Sequence, residues 1–277
     1  MNGELAQLIA LTAHGNAALA FPGLPDLGSP EEGSVFRYVG ELSFLRSPTD
    51  QTGGPARVIA RTTSEWYDLL RREGVSRLAL VPLAATEQSE RLPPPIAAGF
   101  VGGVNTGIVA LRPNAPAEIW SATWGLRGAA PADPQPWGVR YAGRTVGPDL
   151  MPPPLIKLTD ARAELIDSLQ AIRALAAAQE LPTWERLFAT TLDALLASPL
   201  PSRDSTFLPR RGYPPAAHQL LSAAMGGWVF GGMGSWNDYV APTEETQAAY
   251  ESVTTQHYNA VMTALAGATN AFDPDWS

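Results

Sequence analysis

The apolar residues of this chain change period once, and that change constrains its fold more than any single motif. Between about residues 41 and 143 they tend to alternate. Beyond the proline-rich segment GPDLMPPPL (147–155) they recur at helical spacing to the end. A chain patterned this way buries one face of a sheet and one stripe of each helix. The predicted class is α+β: an antiparallel or mixed sheet over about residues 41–143, preceded by an N-terminal helix, with a C-terminal layer of about four helices. Three consecutive prolines read as a stiff connector, dividing a sheet-rich region (1–150) from a helical region (151–277). The apolar helical faces need a partner, so the two regions are expected to pack together as one unit.

Individual elements follow from caps and spacing. Residues 4–19 place Leu5, Leu8, Ile9, Thr12, Asn16 and Leu19 near one face, as in an amphipathic helix. Ser29, Pro30 and Glu32 read as the start of a helix over 30–39. Strands are predicted at 41–46 and 56–61, a helix capped by Ser64 at 65–73, and a strand at 76–82. This spacing permits a crossover between parallel strands. The segment 100–111 reads as a hairpin or a bent strand kinked at Asn105–Gly107. The alternation of Trp120, Ala122, Trp124 and Leu126, followed by Trp137, Val139 and Tyr141, predicts a three- or four-stranded meander with an aromatic inner face. Thr159, Thr183 and Thr243 read as caps for helices at 160–179, 184–197 and 243–271.

The most unusual segment is His218–Asp238, HQLLSAAMGGWVFGGMGSWND, with five glycines between Gly226 and Gly234. Glycine costs roughly 1 kcal/mol relative to alanine inside a helix, so the concentration needs a reason. A glycine-rich turn could present the amides of Gly231, Gly232 and Gly234 to a ligand, with Ser235, Trp236, Asn237 and Asp238 beside them. Alternatively, Gly227 and Gly231 allow close packing and the later glycines end the helix; Trp228, Phe230 and Trp236 then fill the core. A second glycine-rich segment, GFVGGVNTG (99–107), raises the same question on the sheet side. If the two meet, they form either a contact or a cleft between sheet and helices.

Composition narrows the chemistry. The 277 residues carry a net charge of −8 with no concentrated basic face, which argues against nucleic acid as a partner. Without cysteine there is no disulfide, thiol nucleophile or thiolate metal ligand. The start of the chain lacks a basic region of the signal-peptide type, and the uncharged run Gln219–Asn237 is interrupted by glycines and polar residues. Neither export nor a membrane span is therefore expected, and the predicted location is cytoplasmic. Phosphate-loop, zinc-protease, nucleophile-elbow and calcium-loop patterns are absent, and no cofactor or metal site is predicted.

His14, His218 and His257 are the histidines. His257 falls on the apolar stripe of the last helix and reads as a core residue. His14 and His218 are the candidate bases; with Ser235 as nucleophile and Asp238 as orienting acid they would make a hydrolase site. The first functional reading is nevertheless a non-catalytic binding or interaction protein of accessory or immunity type, whose partner is another protein or a small ligand. The alternatives are the hydrolase and a structural subunit assembling as a homo-oligomer through the glycine-rich helix.

Overall fold

The computed structural model describes residues 1–23, 30–46, 55–83, 92–128, 133–146, 156–198 and 206–276. The strands are β1 (Val39–Arg46), β2 (Arg57–Ala60), β3 (Arg77–Pro82), β4 (Thr106–Arg112), β5 (Ala115–Leu126) and β6 (Trp137–Thr145). They form one mixed sheet in the order β2-β1-β6-β5-β4-β3, and its α+β class is the one that the change of period predicts. Strands β3 to β6 are an antiparallel meander, β1 pairs parallel to β6, and β2 pairs antiparallel to β1.

Strands β2 and β3 run parallel in the one sheet, so the connection between them is a crossover of the kind that the spacing permits, but they do not pair with each other. They occupy opposite edges, and α2 (Thr63–Arg72) lies between them in sequence. Strand β2 buries only Ala60, too little apolar surface for an interior position. Edge strand β3 is protected differently. The Asn16 side chain exchanges hydrogen bonds with Leu78, accepting from its N–H (2.7 Å) and donating to its carbonyl (2.9 Å). Asn270 makes the same pair with Leu80, both at 2.8 Å. Two amide side chains thus take the place of a neighbouring strand and close the edge.

Asn16 belongs to α1 (Gly3–Ala20), which is buried on nearly every side and not along a single stripe. Its second face consists of Ala10, Ala13 and Ala17, which are small and apolar, so other elements can cover that face too. After the short helix α3 (Pro94–Ala97), the helical layer comprises α4 (Leu158–Ala178), α5 (Pro182–Leu196), α6 (Pro215–Gly226) and α7 (Glu244–Thr269). Helix α7 touches α4, α6, α1 and β3. One apolar cluster runs from Trp66 on α2 and Trp120 and Tyr141 on the sheet to Phe188, Trp236 and Leu265 among the helices.

The aromatic inner face is present at Trp120 and Tyr141, with Phe44 stacked on Trp66 at 4.4 Å. It does not extend to Leu126, which is 72% exposed because helical cover ends before β5 does. Other boundaries also shift. Two short 3-10 turns, Pro30–Glu32 and Ser34–Phe36, replace the helix expected over 30–39, because Gly33 interrupts it and β1 begins at Val39. No hairpin forms over 100–111: a turn containing Gly102 leads into β4. Thr62, and not Ser64, caps α2. Helix α4 starts at Leu158, so Thr159 lies inside it, and α5 starts at Pro182, which supplies the fixed φ that suits a first turn. Thr243 does cap α7, in a reciprocal box with Thr246. Ser29 and the 147–155 connector lie outside the described residues.

Candidate functional site

Helix α6 ends at Gly226, and the glycines beyond it form a loop. An added Cβ at Gly227 would lie 3.5 Å from the His257 ring, an ordinary van der Waals contact, so the packing of the loop against α7 at this point does not require glycine. The loop is anchored at Trp236, which is fully buried. Its indole N–H donates to Thr254 Oγ1 at 2.8 Å, its carbonyl accepts the Tyr250 hydroxyl at 2.8 Å, and its ring meets Trp184 and Phe188 edge-on at 5.6 and 5.5 Å. Trp228 turns its indole N–H onto the Phe230 carbonyl at 2.7 Å.

The two glycine-rich segments meet. A Cβ at Gly99 would lie 2.8 Å from the Gly231 carbonyl oxygen, so only glycine permits this backbone approach. Beside this seam opens a cleft of about 580 Å³, lined by Trp184, Leu187, Trp228, Phe230, Val101 and Ser235 among others. No lining residue carries an ionisable side chain. Its volume lies within the usual range for small-molecule pockets, about 300–1,000 Å³.

One wall is tied to the start of α1. Asn2 caps this helix through the Glu4 amide (2.8 Å) and donates to the carbonyls of Ala98 and Phe100, each at 3.4 Å. The Glu4 carboxylate accepts the Gly102 amide at 3.1 Å. Burial pushes the Glu4 carboxyl up to about 7, with the Gly102 hydrogen bond acting in the opposite direction.

The sequence-derived candidates separate into distinct places. Gly231 and Ser235 line the cleft, whereas Gly232 and Gly234 are exposed. Gly234 has a φ of +83°, and its amide donates to the Asp238 carboxylate; the Ser235 amide donates to Gly232 O at 3.2 Å. The turn therefore binds its own carboxylate with an amide that could otherwise face an anion. Ser235 Oγ donates to Gly231 O at 3.1 Å, and Asn237 donates to Pro95 O at 3.0 Å. His218 lines a separate groove with Thr190, Ser198 and Ser222, and its ring lies 6.4 Å from that of Tyr213. His14 is buried within α1.

A serine–histidine pair does occur, but deep in the helical layer. His257 Nε2 donates to the Gly227 carbonyl at 2.9 Å, which leaves Nδ1 as an acceptor 3.2 Å from Ser168 Oγ, a hydroxyl whose one proton is also directed at the Leu165 carbonyl at 3.0 Å. Burial pushes the imidazole down to about 4, against the opposing effect of the Gly227 carbonyl. Ser168 and His257 are 1% and 0% exposed, so no substrate reaches them in this conformation.

Trp184, Leu187 and Val101 line the cleft although the sequence marks them only as helix or strand positions. No local signal identifies them, because the cleft is assembled from four segments distant in sequence. Among the described residues no group of three or more metal-ligating side chains converges, and no helix is long and apolar enough to cross a membrane. No protein-family model matches the chain, and no curated protein or solved structure matches it either.

Proposed function

We propose that this protein is a non-catalytic binding protein of accessory or immunity type, and that it takes up its partner at the cleft bounded by the first turn of α1, α5 and the 228–235 loop. One observation carries this reading: access and reactive chemistry are separated. The open cleft has walls of tryptophan, phenylalanine and leucine with no ionisable side chain. The serine–histidine pair is sealed elsewhere. Recognition by aromatic surface suits the first arrangement, and acid–base catalysis needs an accessible titrating group. A cytoplasmic setting goes with this reading.

The test compares partners recovered from the native host by the wild-type protein and by Gly231→Leu. An added Cβ at Gly231 meets only Ser235 Cβ, at 3.7 Å, so leucine can occupy the cleft without displacing the backbone. The expected result is a partner held by the wild type and lost by the variant. Ester hydrolysis by the wild type that disappears in Ser235→Ala would overturn the proposal in favour of a hydrolase. Concentration-dependent self-association abolished by Gly231→Leu would favour the structural-subunit alternative.

A further inference from the structure

The lining of the cleft also specifies what kind of ligand it can hold. We propose that the cleft is a binding site for an uncharged small molecule with a flat aromatic or alicyclic body, an inference that rests on the binding-protein reading above.

Three features argue for this class. First, Trp184, Trp228 and Phe230 contribute to the lining from α5 and from the loop, together with Leu187 and Val101. Aromatic rings at a concave site favour a rigid, flat partner, which gains contact area without losing much conformational freedom. Second, a chain with a net charge of −8 has placed no ionised side chain in this lining. The one ionisable group that a lining residue carries is the α-amino group of Met1, and burial lowers its pKa, which disfavours the ammonium form that would pair with an anion. The Glu4 carboxyl, next in sequence to Gly3 of the lining, is 6% exposed and is bonded to the Gly102 amide. Its burial disfavours the ionised form that a cation would need, and any ionised fraction repels an anion.

Third, the polar groups in reach are few and neutral. The Ser235 hydroxyl donates to Gly231 O and accepts the Asn237 amide at 3.3 Å. The Asn2 amide makes two long bonds to Ala98 O and Phe100 O. With their protons engaged, such groups can accept one or two hydrogen bonds from a ligand, which orients a neutral molecule. The seam between Gly99 and Gly231 keeps this wall flat, because neither residue has a side chain to fill the space.

The experiment uses a matched pair of fluorescent probes. N-phenylnaphthylamine is uncharged, and anilinonaphthalene sulfonate has the same ring system with one sulfonate added. Both are titrated into the full-length chain, into Gly231→Leu and into Val101→Trp, which narrows the cleft from a position that is 61% exposed. Circular dichroism confirms that each variant is folded, and Val101→Trp keeps the test decisive if Gly231→Leu does not fold. The proposal expects saturable one-to-one binding of the neutral probe with quenching of tryptophan emission, binding of the sulfonate weaker by at least about tenfold, and loss of neutral-probe binding in the variants. Equal or tighter binding of the sulfonate overturns the ligand class while the binding-protein reading stands. Absence of saturable probe binding, with a host protein still lost from Gly231→Leu, overturns the small-ligand inference alone. Absence of both overturns the two together.

Discussion

The sealed His257 site and the open cleft lie on either side of the same loop, yet they divide the ingredients of an active site between them. His257, Ser168 and the Gly227 carbonyl have the hydrogen-bond geometry of a base and its hydroxyl partner, but no exposure. The cleft has exposure and volume, but no ionisable side chain. Hydrogen bonding alone is therefore a poor guide to chemistry. A buried histidine must find partners whether or not it reacts, because an unsatisfied ring nitrogen costs about 1–3 kcal/mol. Accessibility is the property that separates a structural pair from a reactive one.

The largest test of this contrast is Trp236→Ala. The ring is fully buried beside Trp184 and Phe188, and its N–H bonds Thr254. Removing it is expected to destabilise the protein by about 3–5 kcal/mol in urea unfolding and to abolish probe binding, since the same residue supports both sites. A loss of binding with full stability would break the proposed link between them.

Next come the buried ionisable groups, whose effects on stability oppose each other. Glu4 has its folded value raised from 4.5 to about 7, so across that window the folded chain keeps a proton that the unfolded chain has released. Stability from this group is present at low pH and falls as pH rises through the window. His257 has its folded value lowered from 6.5 to about 4, so there the unfolded chain holds the extra proton. Stability from this group is present above the window and is lost as pH falls through it. Each contributes up to about 3 kcal/mol. Glu4→Gln should make stability rise more steeply with pH between 4.5 and 6.5, and His257→Gln should make it rise less. Unchanged slopes in urea titrations across this range would show that the groups are not buried as described.

The two glycines at the seam should differ sharply. Gly99→Val forces a side chain against the Gly231 carbonyl and is expected to lower stability by roughly 1–3 kcal/mol. Gly231→Leu has room and should change it by no more than about 0.5 kcal/mol while filling the cleft. Thermal unfolding of the pair checks the seam directly. A small effect is likewise expected from Ser235→Ala, whose hydroxyl is bonded within its own turn: less than about 1 kcal/mol, with modestly weaker binding of a neutral probe.

Much of this fold could be read from the residues in order. Alternation at Trp120 and Tyr141, helical spacing after 155 and the Thr243 cap all depend on neighbours a few positions apart, and a sequence displays such relations directly. Strand order was not legible, because a spacing that permits a crossover between β2 and β3 does not reveal that β1, β6, β5 and β4 stand between them. The pairing of Asn16 with Leu78 and of Asn270 with Leu80 was equally hidden, since an amide side chain has no spacing rule that reveals which strand it will complete.

The glycine-rich stretch marks the boundary between what each level decides. Sequence alone determined that Gly226–Gly234 could not continue as an ordinary helix and that a second glycine-rich segment could approach it, because backbone freedom is a local property of the residue. Only the tertiary structure decided that Gly99 meets Gly231, that Asp238 occupies the Gly234 amide and that Trp184 and Val101 line the space alongside. Shape and exposure arise from packing across long sequence separations, so they come into being only when the helices close over the sheet.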